Sequence, residues 1–69
     1  MTHPLNLTPR EFEVVNILCA VGSNKLIARQ LGISVYTVST MIHRACQKAG
    51  VNDRVTLALK WDRMMREPQ

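Results

Sequence analysis

Residues Ser23–Ala49, SNKLIARQLGISVYTVSTMIHRACQKA, decide how this chain folds. Two helical patterns lie on either side of Gly32. In Lys25–Leu31, Ile27, Ala28 and Leu31 share one side, while Lys25 and Arg29 point away on i, i+4 spacing. Gly32 breaks that pattern, Ile33 packs inward, and Ser34 is suited to cap a longer helix. Within Ser34–Ala49, Val38, Met41, Ile42, Ala45 and Ala49 fall together on a 3.6-residue turn, with Cys46 at their edge. Tyr36, Ser39, Thr40, His43, Arg44 and Gln47 fall on the other side. A short helix, a Gly-containing turn and a longer helix make a helix-turn-helix arrangement. In that arrangement the second helix enters the major groove of a duplex while the first crosses its backbone. The outer face of the longer helix is short-chained and rich in hydrogen-bonding groups, where a solvated face would carry Lys and Glu. Such a face suits the edges of bases.

Outward from this unit, one further helix is expected on each side. Thr8, Pro9 and Glu11 form a capping-box start, and helix 1 should run from Pro9 to about Val21, burying Val14, Ile17, Leu18 and Val21. Phe12 lies off that stripe. Gly22 ends this helix, and Ser23 or Asn24 caps the next. Before it, Met1–Leu7 is a lead-in with His3 as a solvated residue. Gly50 stops the longer helix, Val51 folds inward, and Asn52 or Asp53 caps a fourth helix, from Asp53 to near Arg66 with Pro68 beyond its end. The apolar residues of that helix cover an arc of roughly 220°, against the ~100° that a one-sided surface helix needs. One small core cannot cover so wide an arc. A second apolar surface for self-association, involving Leu57, Trp61, Met64 and Met65, is therefore expected.

Composition sets the remaining bounds. Sixty-nine residues make a single domain, and a 46% hydrophobic fraction with three aromatics favours an all-α core of packed helices. Nine Lys and Arg against five Asp and Glu give +4, which favours a polyanionic partner, nucleic acid before membrane. Cys19 and Cys46 sit in apolar helical stretches with no secretory signal ahead of them, which reads as two reduced core residues in the cytoplasm. No apolar run reaches the length of a membrane span.

Several spaced segments resemble the LuxR-type helix-turn-helix domain, the DNA-binding module of bacterial quorum-sensing and response regulators. They are LTPRE at Leu7–Glu11, SNKLIARQLGIS at Ser23–Ser34, TV at Thr37–Val38 and KAGVNDR at Lys48–Arg54. The resemblance implies one domain over 1–69 with its core at 7–61: a compact four-helix bundle that binds double-stranded DNA as a homodimer, with helix 4 at the dimer contact. It places Ser39, Thr40 and His43 at base-reading positions, with Tyr36 and Gln47 as neighbours. Asn24, Lys25, Thr37 and Lys48 fall at positions that meet the phosphate backbone, and Arg44 joins them as a cation on the same surface. It also pairs Glu11 with Arg54, tying helix 1 to the start of helix 4. The chain begins and ends almost flush with the motif, which suggests a stand-alone member of bacterial or phage origin, cytoplasmic and nucleoid-associated.

The departures from the family are specific. Family members commonly carry Lys where this chain has Ser39, His at Met41, Gly at Val21, Glu at Leu26 and Arg at Phe12. The missing Lys removes a charge contact and with it part of the salt dependence of binding. Phe12, Leu26, Val35 and Tyr36 make the surface more apolar, which favours a second reading: a protein-interaction module or anti-regulator that binds another regulator, such as a LuxR-type one, or a host protein. Enzyme readings find no support. His43 and Cys46 at i, i+3 supply only two metal ligands, and Ser39 with His43 lacks an orienting third group. Neither a cofactor nor a metal is expected.

Overall fold

The computed structural model describes residues 6–66; the readings of His3 and Pro68 fall outside the described residues. Four helices form in the expected places: α1 (Pro9–Val21), α2 (Asn24–Leu31), α3 (Val35–Ala49) and α4 (Arg54–Arg66). Each start follows from local chemistry. The Thr8 hydroxyl accepts from the Glu11 amide at 3.2 Å while the Thr8 amide donates to Glu11 Oε1 at 3.0 Å, so two otherwise orphaned donors are satisfied reciprocally. Ser23 and Ser34 cap α2 and α3 through the amides of Leu26 and Thr37. Asp53 accepts from both the amide and the hydroxyl of Thr56 at the start of α4. Gly32 turns the chain between α2 and α3 at φ +67°, a left-handed conformation that a side chain disfavours even though open space surrounds the site.

The core gathers from all four helices and from Leu7. Ile27, Ala28, Val38, Ile42, Ala45, Cys46 and Ala49 line α2 and α3; Val14, Val15 and Leu18 come from α1; Leu57 and Trp61 come from α4. α1 packs against all three other helices, whereas α2 and α4 do not touch. The angle between α2 and α3 is therefore held by their mutual packing and by α1 alone.

Several expectations are corrected. The buried stripe of α1 is Glu11, Val14, Val15 and Leu18, and Val21 is exposed. The stripe follows i, i+3, i+4, i+7 spacing, but a carboxylate occupies its first position, so the apolar residues alone give the wrong phase. Phe12 is not an outward-facing residue. It is half-buried and meets the Trp61 ring edge-on, with centroids 5.3 Å apart. Cys19 is exposed, its thiol directed to the Ala58 carbonyl at 3.6 Å, and only Cys46 is a core cysteine.

The wide apolar arc of α4 divides in two. Leu57 and Trp61 are 0% and 1% exposed within a single copy, so they belong to the protomer's own core and offer no free surface for a dimer contact. The Trp61 indole N–H donates to Asn16 Oδ1 at 3.0 Å, which lets a polar ring edge be buried. Met64 is half-buried and Met65 exposed; Val55 and Leu59 are exposed as well.

Candidate nucleic-acid interface

The outer face of α3 is assembled as the periodicity anticipates. Tyr36 is 80% exposed, Ser39, His43, Arg44 and Gln47 are exposed, and Thr40 is half-buried. The Thr40 hydroxyl donates back to the Tyr36 carbonyl at 3.1 Å, so toward a base it can only accept. Thr37 faces Ser34, their hydroxyls 2.9 Å apart at the head of the helix. Ser39 and His43 line a cleft of about 350 Å³ together with Asn24, Asn52, Asp53 and Arg54. The side-chain oxygen of Asn24 is buried there without a partner. A phosphate, itself an acceptor, does not satisfy that oxygen; the NH2 end of the same amide is the group able to meet one.

The cations divide into committed and uncommitted groups. Lys25 and Arg29 on α2 and Arg44 on α3 are exposed and form no ion pair among the described residues. Lys48 behaves differently from its expected role. Its ammonium donates to Glu11 Oε1 at 2.6 Å and to the Asn6 carbonyl at 3.2 Å, clipping the end of α3 to the start of α1. A phosphate contact by Lys48 would compete with that clip. Burial pushes the Glu11 carboxyl up, but hydrogen bonds from Lys48 and Thr8, together with the Lys48 charge, outweigh it and leave the group below its ordinary value.

The expected Glu11–Arg54 pair does not form, since Lys48 takes that carboxylate. Arg54 instead donates to the Gly22 carbonyl at 3.0 Å, beyond the C-terminal end of α1. Lys60 donates to the Ala49 carbonyl at 2.7 Å, at the end of α3. Both α4 side chains place positive charge where a helix dipole is negative and carbonyls are open. Sequence reading missed both roles because the donors come from a different helix than the one they close.

A second surface runs along α4. Val55, Leu59, Asp62 and Arg66 recur at i, i+4, i+7, i+11, and with Leu18 and Cys19 they line an open groove of about 400 Å³. Burial and the neighbouring Asp62 charge both push the Cys19 thiol upward, which disfavours the reactive thiolate. His43 and Cys46 share the other cleft, but no set of three or more metal-ligating side chains comes together among the described residues. No helix among them is long and apolar enough to cross a membrane.

Comparison with known proteins agrees with this architecture. Residues 5–61 match the family described as bacterial regulatory proteins, luxR family. A monoamine regulon transcriptional regulator of Klebsiella aerogenes is 44% identical over 54 residues, which cover 78% of this chain. The matched segment is 24% of that relative's length, so this chain corresponds to about a quarter of it. A four-helix chain with a helix-turn-helix at its centre and a family match from residue 5 to residue 61 belongs to the luxR family of bacterial regulatory proteins.

Proposed function

We propose that this protein is a sequence-selective DNA-binding regulator of transcription, acting in the bacterial cytoplasm, with α3 in the major groove. The observation that carries this reading is the outer face of α3. Tyr36, Ser39 and His43 are exposed there beside the half-buried Thr40, with Gln47 only a neighbour toward the far end, and Lys25, Arg29 and Arg44 are exposed cations that form no ion pair among the described residues. Base edges specify and phosphates position, so the first group would select sequence while the second supplies most of the affinity. Asn24 and Thr37 sit at the ends of α2 and α3 where a crossing phosphate backbone would pass. The named role of the Klebsiella relative, transcriptional regulation, is consistent with the proposal.

Val55, Leu59 and Met65, exposed on α4 beside an open groove, favour homodimerisation over the alternative of an unrelated protein partner. The stripe is short and ends in the Asp62–Arg66 ion pair at 3.2 Å, which gives it a self-complementary polar terminus. With Phe12 packed on Trp61, the apolar surface that suggested a protein-binding module is smaller than the sequence implied. A two-fold dimer would present two α3 helices to half-sites about one helical turn apart.

The test is a mobility shift on random-sequence duplex at low salt, followed by sequencing of the bound pool. Enrichment of one motif, altered by Thr40→Ala, is the expected result. A bound pool indistinguishable from the input at low salt removes the DNA-reading proposal and leaves the protein-partner reading in its place.

A further inference from the structure

Resting on the DNA-binding reading above, we infer that this domain selects its half-site through the C5-methyl groups of thymine, read by the Tyr36 ring and the Thr40 methyl. The first two turns of a recognition helix are the part that reaches base edges. In α3 these turns run from Val35 to about Ile42, and on the outer side they carry Val35, Tyr36, Ser39 and the half-buried Thr40, with His43 opening the next turn. None is an Arg, Lys, Asn or Gln, the side chains that make paired hydrogen bonds to guanine or adenine. Arg44 and Gln47 lie beyond these turns, toward the end of the helix that leaves the groove.

The hydrogen-bonding groups that remain do not discriminate well. Ser39 carries one hydroxyl that can donate or accept and so suits any pair. His43 makes one contact at a time. The Thr40 hydroxyl proton is already committed to the Tyr36 carbonyl. Apolar surface is what is left with a unique complement. Tyr36 is 80% exposed at the N-terminal end of this face and Val35, beside it, is 49% exposed. Only thymine offers an apolar group in the major groove, so an aromatic ring and a threonine methyl there distinguish T·A from every other pair. The short Ser39 between them lets the helix seat closely enough for such contact.

The experiment takes the duplex enriched from a random pool and replaces each thymine in turn with deoxyuridine, which lacks only the methyl. At one or two positions per half-site, affinity should fall about fourfold for each methyl removed, the factor that burying one such group corresponds to. Placing 5-methylcytosine at those positions should recover about the same factor over cytosine. Tyr36→Phe should keep the discrimination, whereas Tyr36→Ala should be indifferent to uridine at one position. Thr40→Ser, which retains the bond to the Tyr36 carbonyl, should be indifferent at another. Because Tyr36 is so exposed, Tyr36→Ala should melt with the parent protein, and circular dichroism verifies that. An enriched motif bound equally well with uridine at every position overturns the inference, as does discrimination that survives both substitutions. Failure to enrich any motif overturns instead the DNA-reading proposal on which it rests.

Discussion

Replacing Lys48 with Ala separates two roles that a sequence cannot tell apart. If Lys48 is chiefly a phosphate contact, the substitution weakens DNA binding and leaves the fold intact. The structure assigns its ammonium to Glu11, whose side chain is 4% exposed, so removal strands a carboxylate inside the protein. Breaking a fully buried pair costs about 3–5 kcal/mol, and an exposed pair contributes about 0–1 kcal/mol. Lys48 itself is 34% exposed, so water partly replaces it, and a loss of about 2 kcal/mol is expected between those limits. A chain of 69 residues has a total stability of about 3–10 kcal/mol, so the substitution would lower Tm by about 8–16 °C.

Acid provides an internal check on the same substitution. The Glu11 carboxyl titrates below its ordinary value in the folded state, so the unfolded chain binds the proton more readily. Its contribution is present above the unfolded pKa and is lost as pH falls through the folded one. The gap between parent and Lys48→Ala should therefore narrow in acid. Urea melts across pH 3–7, with Glu11→Gln and the double variant completing a cycle, measure the coupling. A Lys48→Ala protein that melts within about 2 °C of the parent, yet binds DNA with a visibly shallower salt slope, would refute the clip.

Three further outcomes follow from other parts of the structure. Arg29→Ala or Arg44→Ala should leave Tm unchanged and reduce the salt slope of DNA binding by about 0.9 per protomer, from about 2.7 for three uncommitted cations, as read by fluorescence anisotropy between 50 and 200 mM salt. Gly32→Ala should destabilise the domain by about 1–2 kcal/mol through the left-handed backbone alone, since a Cβ there meets nothing within 4 Å; a neutral result in urea denaturation would contradict the turn geometry. Leu59→Asp, at a site 67% exposed, should abolish concentration-dependent association in sedimentation while leaving monomer stability within about 0.5 kcal/mol of the parent; persistence of dimers would move the contact away from α4.

The helix count and the helix-turn-helix were legible because caps and glycines carry their own local chemistry. Thr8, Ser23, Ser34 and Asp53 each act on the amide three residues ahead, so sequence spacing alone exposes them. The outer face of α3 was legible for a similar reason: a long helix has enough turns to fix its phase. Partners set by tertiary placement were not. Whether Glu11 meets Arg54 or Lys48 depends on where the end of α3 crosses the start of α1, and both candidates carry the same charge. Trp61 could not be divided between core and interface by periodicity, because an arc records only which residues avoid water. It does not record which protein covers them. Phe12 was misjudged because a second side of α1, through half-buried Phe12 and exposed Asn16, contacts the buried Trp61 ring.

The two hydrogen bonds that α4 sends backward, from Arg54 to the Gly22 carbonyl and from Lys60 to the Ala49 carbonyl, bear on how small this domain can be made. The helix-turn-helix holds the chemistry that faces outward, yet α1 and α3 are each sealed at one end by a side chain from beyond it. A chain cut after Asp53 would bare both of those ends and lose the Trp61 wedge as well. With α3 reading DNA and α4 carrying the dimer contact, as proposed, the same geometry would make α4 a strut shared between assembly and reading. Whatever steadies its outer stripe also steadies the seals on α1 and α3, so a second copy docked there would stiffen the reading helix from behind without touching it.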